Sequence, residues 1–213
     1  LILLHSGVLY PTPDRDPSAF FAALAKLKAT GTVSAWNLRV VLRASGFEDH
    51  YRGLIQHYRI EDIVTLEPPI PYRKALAEML DADGLLIFQG RTSNPAIPAK
   101  LYEYFRAQRP IFAMVDSEGD TAETLRQMQI GTLVPLDSEN EIARALGEFL
   151  SSLRAGELPT LSRESARRHS RKSRTAELVE LLDEIASARA RSVQPAIGQN
   201  SAIDRKGEKK WTT

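Results

Sequence analysis

The chain has 213 residues, of which 43% are apolar and 26% charged, a composition typical of one sizeable globular domain. Its net charge of +1 predicts no bulk attraction to nucleic acid. The absence of cysteine excludes disulfides, thiolate metal sites and cysteine nucleophiles, and no apolar run reaches the roughly eighteen residues of a membrane span. The chain begins at Leu1, inside an apolar run and without an initiating methionine, so we expect it to be part of a longer protein.

Short apolar runs alternate with amphipathic segments along most of the chain. Six runs have the length of buried strands, at residues 2–5, 38–42, 63–66, 84–88, 111–115 and 131–134. Helical spacing of apolar side chains predicts helices at residues 17–27, 47–58, 72–80, 98–109, 121–129, 138–153 and 175–188. This alternation predicts an α/β fold with a Rossmann-like, doubly wound parallel sheet. In such sheets ligands bind beyond the carboxyl ends of the strands.

Residues 94–115 are the most informative stretch, because they indicate a loop, a short helix, a break and a buried strand. Pro95 keeps the entry non-helical, and Pro98 suits the first helical position because its missing N–H needs no partner there. Arg109 precedes a proline and therefore ends the helix. The apolar residues 111–115 then form the next strand.

Lys100 lies in the first turn of this helix and Glu103 three residues later, so both project from one face near the helix N-terminus. A helix N-terminus attracts anions through its free N–H groups and its partial positive charge. Lys100 adds a cation, and the Glu103 carboxylate can accept two sugar hydroxyls. Together these groups favour a nucleotide diphosphate with its ribose. The alternative is an ordinary surface pair of opposite charges.

The segment IPAKLYEYFRAQRPI resembles a segment of retaining glycosyltransferases with the GT-B fold (group 1, family 4-like), which use nucleotide-sugar donors. The resemblance covers residues 1–187 and implies the C-terminal, donor-binding half of such an enzyme. It places Lys100 near the diphosphate and Glu103 on the donor ribose. The family often has a second glutamate, eight residues before Glu103, that contacts the transferred sugar; this chain has Pro95 there.

The turn after the first strand is the second place where the resemblance implies phosphate contacts. Gly7 lets a phosphate approach the backbone, and Arg15 in the same loop can neutralise its charge. The family uses this loop to hold the donor diphosphate, and many of its members have an arginine where this chain has Val8. Lys100 and Arg15 are therefore the expected catalytic cations. A bare turn with a solvated Arg15 is the alternative.

Two further loops carry candidate donor contacts. Tyr72 follows the third strand, where the base of the nucleotide lies in the family, so it can stack on that base or serve a structural role instead. Ser93 and Asn94 follow the fourth strand, where the donor sugar lies in the family. The histidines show no shared metal-ligand spacing, so we expect no metal site.

Beyond the predicted sheet the chain changes character. Arginines crowd residues 163–174, which can form a solvated helix face, contact an anionic membrane surface or belong to a domain junction. Residues 175–188 follow as a helix with an apolar stripe. We assign residues 1–187 to the nucleotide-sugar-binding domain, and expect the polar residues 188–213 to be a disordered tail.

The resemblance predicts a cytoplasmic domain of an enzyme that moves a sugar from a nucleotide-diphosphate sugar to a glycan or lipid-linked acceptor. The expected partners are the nucleotide-sugar and an N-terminal acceptor domain outside this chain, but no nucleic acid. Peripheral contact with the inner membrane face is an alternative that the arginine cluster leaves open. No cofactor is expected, because basic side chains and a helix dipole stabilise the leaving diphosphate in such enzymes. Without its N-terminal domain the chain should be inactive.

A different class of function stays open. Pro95 and Val8 favour a catalytically degenerate module that binds a nucleotide-sugar as a sensor or partner. A receiver-like signalling domain fits less well, because it needs a cluster of acidic residues at the ends of the first and third strands. His5 and Glu67 occupy those positions and form no such cluster.

Overall fold

A computed structural model of the chain describes residues 1–193, with side chains as far as residue 189. These residues divide into two units, Leu1–Ser170 and the segment that starts at Arg171. The first unit is a six-stranded parallel sheet with helices on both faces, which confirms the predicted fold class. Residues 194–213, most of the predicted tail, lie outside the described residues.

The strands are β1 (Ile2–Ser6), β2 (Arg39–Arg43), β3 (Val64–Glu67), β4 (Gly84–Gln89), β5 (Ile111–Val115) and β6 (Thr132–Val134). The helices of the first unit are α1 (Ser18–Ala29), α2 (Glu48–His57), α3 (Tyr72–Asp81), α4 (Ala99–Ala107), α5 (Asp120–Gln127), α6 (Glu139–Ala155) and α7 (Arg163–Arg168), with a 3₁₀ turn at Arg91–Ser93. Helix α7 was not predicted as a separate element.

The strand order β3-β2-β1-β4-β5-β6 places the first strand next to the fourth. The chain winds outward from β1 in one direction and from β4 in the other, so the sheet has its topological switch point between these two strands. All the strand pairs are parallel, and Leu3 and Leu4 of β1 lie opposite Gly84 and Leu85 of β4. The carboxyl ends of β1 and β4 therefore meet at the crevice where such sheets bind ligands.

The sheet is buried on both faces because consecutive side chains of a strand point to opposite sides. Leu3 joins a core formed mainly with α1, α2 and α6, whereas Leu4 joins the core beneath α3, α4 and α5. Gly84 makes room for these core side chains at the centre, since a Cβ there would lie 2.8 Å from Leu3 Cδ2 and 3.4 Å from the Phe149 ring. Both layers thus hold β1 and β4 rigidly beneath the crevice.

Helix α4 begins one residue later than expected. Pro98 occupies the N-cap with an extended backbone, and Ala99 is the first helical residue. The helix ends at Gln108, whose φ of 55° is left-handed and whose Nε2 donates to Leu161 O at 2.8 Å. The turn before Pro110 is therefore completed by a side-chain hydrogen bond, in addition to the constraint that proline imposes.

The second unit is described here as helix α8 (Arg171–Val193), which is longer at both ends than the predicted helix. The side chains of its apolar stripe are exposed: Leu178, Leu181, Leu182 and Ile185. Over residues 1–193, no helix combines the length and the apolar character that crossing a membrane requires.

Candidate functional site

Two loops leave the sheet side by side at the switch point. The loop after β1 carries Gly7 and Arg15, and the loop after β4 carries Ser93 and Asn94 before it enters α4. Because β1 and β4 are neighbours, the N-terminus of α4 lies beside the end of β1. Residues far apart in the sequence therefore meet in one crevice.

Lys100 lies directly over the turn that follows β1. Its Nζ is 3.0 Å from His5 Nε2, and a Cβ built on Gly7 would lie 2.9 Å from that same Nζ. The φ of Gly7 is 125°, a backbone conformation that side chains other than glycine rarely adopt. The structure thus brings Lys100 and Gly7 together, and both the backbone and the space favour glycine at position 7.

His5 is the buried partner of Lys100, and the sequence analysis gave it no such role. It is 1% exposed, its Nδ1 lies 3.0 Å from Leu86 O, and its ring packs edge-on against Phe88 at 5.1 Å. A carbonyl oxygen can only accept, so Nδ1 must carry the hydrogen in the neutral ring. Nε2 is then an acceptor that faces the amine of Lys100.

Burial changes the protonation of this pair. Desolvation, followed by the charge of Arg15, lowers the pKa of Lys100 to about 7, although Glu103 acts in the opposite direction. Burial and then the charge of Lys100 hold the pKa of His5 well below its ordinary value, against the hydrogen bond to Leu86. His5 is therefore neutral near neutral pH, where Lys100 titrates.

Tyr104 ties α4 to both central strands. Its buried hydroxyl accepts from Ser6 N at 3.2 Å and donates to Leu86 O at 3.4 Å, and burial raises its pKa. Sequence reasoning missed this role. The available signal was its position four residues after Lys100, which places both side chains on one face of the helix.

Glu103 and Tyr72 form a second pair at the rim of the crevice. The hydroxyl of Tyr72, at the start of α3, donates to Glu103 Oε1 at 2.9 Å. The Tyr72 side chain is 62% exposed. The pair places a half-buried carboxylate one helical turn from Lys100.

Arg15 lies in the loop after β1, where its guanidinium is held by local partners. Its Nε is 3.5 Å from Asp14 Oδ2, and its guanidinium carbon lies 5.4 Å from the centre of the Tyr10 ring. Its charge helps to lower the pKa values of both His5 and Lys100. Arg15 therefore contributes to the positive potential of the crevice through its charge.

Ser93 and Asn94 hold loops together. Ser93 Oγ donates to Asp14 Oδ2 at 2.8 Å, and Asn94 Nδ2 donates to Asp116 Oδ2 at 2.9 Å. The bond from Asn94 is the main cause that lowers the pKa of Asp116. Their predicted contact with a donor sugar stays a prediction, and in this structure both side chains bind carboxylates of the protein.

Asp14 joins the two loops across the switch point. Besides Ser93 it accepts from Thr92 Oγ1 at 2.7 Å, and its main-chain oxygen accepts from Gly90 N at 2.6 Å. The loops are so close that a Cβ on Gly90 would lie 2.5 Å from Pro13 O. The φ of Gly90 is −90°, which any residue can adopt. Glycine is therefore favoured at this position by the lack of space for a Cβ and not by the backbone conformation.

A cleft of about 580 Å³ opens next to these loops, at the carboxyl ends of β1, β4, β5 and β6. It is lined by Pro13, Asp16, Ser18, Ala19, Gly90, Arg91, Thr92, Asp116, Ser117, Pro135, Leu136 and Asp137. Gly7, Lys100 and Glu103 are not among these residues, and the Lys100 side chain occupies the space above Gly7. The cleft therefore adjoins the predicted phosphate site without containing it.

Metal ligands do not gather in the described part of the chain, where no group of three or more histidine or acidic side chains is arranged to hold an ion. Positive charge in the crevice comes instead from Lys100 and Arg15, together with the N-terminus of α4. These groups can bind an anion of the size of a phosphate.

Comparison with solved structures shows a shared fold. The chain superposes on sucrose-phosphate synthase from Thermosynechococcus elongatus with a TM-score of 0.64 and 17% identity, covering 88% of this chain and 46% of that one. For α,α-trehalose 6-phosphate synthase from Burkholderia multivorans the TM-score is 0.64 at 14% identity, with coverages of 94% and 45%. The pneumococcal O-GlcNAc transferase GtfA, solved with UDP and GlcNAc, gives 0.59 at 14% identity, with coverages of 87% and 36%.

These three neighbours are GT-B glycosyltransferases, and the chain spans less than half of the length of each. At such identities the likeness shows the fold alone, which is the Rossmann-like fold found in GT-B enzymes. No protein-family model matches the sequence, and no curated protein matches it significantly.

Proposed function

We propose that this chain is the C-terminal, donor-binding domain of a retaining GT-B glycosyltransferase. The full enzyme would transfer a sugar from a nucleotide-diphosphate sugar to a glycan or lipid-linked acceptor. One observation carries the proposal: Lys100 Nζ lies over the Gly7 turn at the β1–β4 switch point, in the first turn of α4. A cation, a glycine turn and a helix N-terminus converge there on one anion-sized position.

The donor diphosphate would lie beside the Gly7 turn, against the amine of Lys100 that occupies the space directly above Gly7. Lys100 would bind its charge directly, and Arg15 would add to the attractive potential. When the bond between sugar and diphosphate breaks, negative charge grows on the leaving phosphate. The same cations and the α4 dipole would stabilise that charge, which is what lowers the barrier of such a reaction.

Glu103 would bind the ribose of the donor nucleotide. Its carboxylate lies one turn along α4 from Lys100, a spacing that matches a diphosphate joined to its sugar. One of its oxygens accepts from Tyr72, and carboxylate oxygens have several lone pairs for the ribose hydroxyls. The exposed ring of Tyr72 would then lie near the base.

The test is calorimetric binding of UDP-glucose, GDP-mannose and ADP-glucose to the whole chain. Lys100→Ala should weaken the best of these ligands by about 1.5–3 kcal/mol, the cost of a lost hydrogen bond to a charged group. Lys26→Ala is the matched control, because Lys26 lies exposed in the last turn of α1 and should leave affinity unchanged. Equal affinity of Lys100→Ala and wild type, with the fold intact, would remove Lys100 from the site.

A degenerate binding module is the second candidate. Pro95 replaces the family's second glutamate, and Ser93 and Asn94 are engaged by Asp14 and Asp116. These observations weaken the support for contacts with the donor sugar. They do not affect the proposed contacts with the diphosphate. Sugar transfer by the protein encoded in the full reading frame would exclude this candidate, and donor binding without transfer would support it.

A further inference from the structure

The contact between Lys100 and His5 has a chemical consequence that is independent of the donor's base or sugar. Leu86 O fixes the hydrogen on His5 Nδ1 and leaves Nε2 as an acceptor. Lys100 can donate to Nε2 whether it is an ammonium or a neutral amine, because both forms carry N–H groups. The 3.0 Å contact therefore holds Nζ above Gly7 in either protonation state.

In the free protein, the charges around Nζ disfavour the ammonium form of Lys100. From β1 it faces the neutral imidazole of His5, and the loop after β1 contributes the charge of Arg15. On α4 the acting charge is Glu103, which favours the ammonium but already accepts a hydrogen bond from Tyr72. Tyr104 stays protonated, since burial raises its pKa. An anion bound against Nζ would reverse this balance.

We propose that His5 is a positioning residue for Lys100, and that binding of a diphosphate in this crevice is coupled to uptake of one proton by Lys100. This inference rests on the proposed function for the identity of the ligand. The proton comes from the solvent and stays on Nζ, so that the bound state pairs an ammonium with the diphosphate. His5 stays neutral throughout and keeps Nζ in place.

Burial makes this coupling effective in the physiological range. With a Lys100 pKa of about 7, most of the free protein carries the neutral amine at pH about 8 and the ammonium at pH about 6. The diphosphate raises that pKa, so binding should take up close to one proton at the higher pH and almost none at the lower. Affinity should fall up to about tenfold for each pH unit above 7.

Two variants of His5 separate its contacts. In His5→Asn the amide occupies the position of Nδ1, so it can still donate to Leu86 O but cannot reach Lys100. In His5→Gln the longer side chain carries an acceptor to the position of Nε2. A positioning role predicts that His5→Gln retains much of the wild-type behaviour and that His5→Asn loses it. His57→Asn on α2 controls for loss of a histidine elsewhere.

The experiment is calorimetry at pH about 8 in buffers of different ionisation enthalpy, with the nucleotide-sugar that binds best. Its diphosphate diester does not titrate in this range, so the measured protons belong to the protein. We expect an uptake of about 0.9 proton for wild type and His57→Asn, and less than about half of that for His5→Asn with affinity reduced several-fold. Equal uptake in wild type and His5→Asn would overturn the positioning role, and no uptake in wild type would overturn the coupling.

A second measurement keeps this inference separate from the proposed function. Carbon-13 NMR of the lysine ε-carbons follows the titration of Lys100 in the free protein and with sulfate, an anion that does not titrate near neutral pH. We expect a midpoint near pH 7 that moves upward with sulfate. If no nucleotide-sugar binds but this shift occurs, the donor assignment fails and the proton-coupled anion site stands. A titration midpoint of Lys100 near the ordinary pKa of lysine would contradict the inference itself.

Discussion

Glu103 at the rim of the crevice can be tested for its proposed contact with ribose by a change that keeps its shape. Glu103→Gln retains an acceptor for the Tyr72 hydroxyl but loses the charge that strengthens bonds from ribose. We expect affinity for nucleoside diphosphates to fall by about 1–2 kcal/mol, and affinity for inorganic pyrophosphate to fall much less, through the weaker support of the Lys100 ammonium alone. Calorimetry with both ligands measures this, and Glu61→Gln at an exposed position is the control. An equal loss for both ligands would show that Glu103 acts on the phosphates or on the fold.

The partly buried amine of Lys100 should also make stability depend on pH without any ligand. Its pKa is about 7 in the folded protein, whereas an ordinary lysine has a pKa of 10.5, so between these values the unfolded chain binds more protons. Stability should therefore rise with pH across this window, by up to about 1.4 kcal/mol per pH unit, and the penalty is fully present only below pH 7.

Urea unfolding at pH about 6.5 and about 9 measures this dependence, with Lys100→Met as the comparison because its side chain has similar length and cannot ionise. The gain in stability on raising the pH should be larger for wild type than for Lys100→Met. Identical gains would mean that Lys100 keeps an ordinary pKa in the folded protein.

At the scale of elements, the close contact between the loops after β1 and β4 depends on Gly90. Gly90→Ala would place a Cβ 2.5 Å from Pro13 O, which is backbone and cannot move aside as a flexible side chain could. We expect a loss of stability of about 1–3 kcal/mol, the usual range for overpacking, together with weaker donor binding.

Gly53→Ala is the matched control for this change. Gly53 lies within α2, and a Cβ there meets no atom within 4 Å. The substitution should stabilise the helix by about 0.5–1 kcal/mol. Thermal or urea unfolding compares the two variants, and the argument fails if Gly90→Ala is as stable as wild type.

The elements were predictable because each leaves a local pattern. The apolar run 111–115 is strand β5 with the same bounds, and the predicted helix around Lys100 is α4. The position of Lys100 at a helix N-terminus was likewise readable from Pro98. Local patterns did not predict the end of α4 correctly. Gln108 adopts a left-handed backbone conformation, which ends the helix at Ala107, two residues before the predicted boundary.

The side-chain partners were not predictable in the same way. Lys100 and His5 are 95 residues apart, and Tyr72 and Glu103 are 31 apart on different helices. Such contacts depend on the strand order and on the tilt of each helix, neither of which apolar periodicity encodes. The sequence analysis named Lys100, Glu103, Tyr72 and Arg15 as candidates, but it predicted neither the contact of Tyr72 with Glu103 nor that of His5 with Lys100.

For the whole molecule, the main prediction follows from how little of each structural neighbour this chain covers. The chain covers 46% of the first neighbour and 36% of the third, which leaves room in those proteins for a second domain. We expect the chain alone to bind a nucleotide-sugar and to transfer no sugar to glycan or lipid-linked acceptors. Incubation with radiolabelled donors and an acceptor panel tests this, with the protein from the full reading frame as the positive control. Product formed by this chain alone would contradict the half-enzyme interpretation.

The neighbouring positions of β1 and β4 also have a consequence for the order of folding. The main-chain N–H of Ile2 binds Asp83, 81 residues further along, whereas β1 pairs with β2 after a single crossover. Closing the longer loop costs more entropy, so the half-sheet β1–β3 is the easier part to assemble. During synthesis one edge of β1 stays unpaired until β4 has left the ribosome. The crevice at Gly7 and Lys100 forms only when β1 and β4 pair, so an anion bound there would stabilise chains in which these two strands have joined.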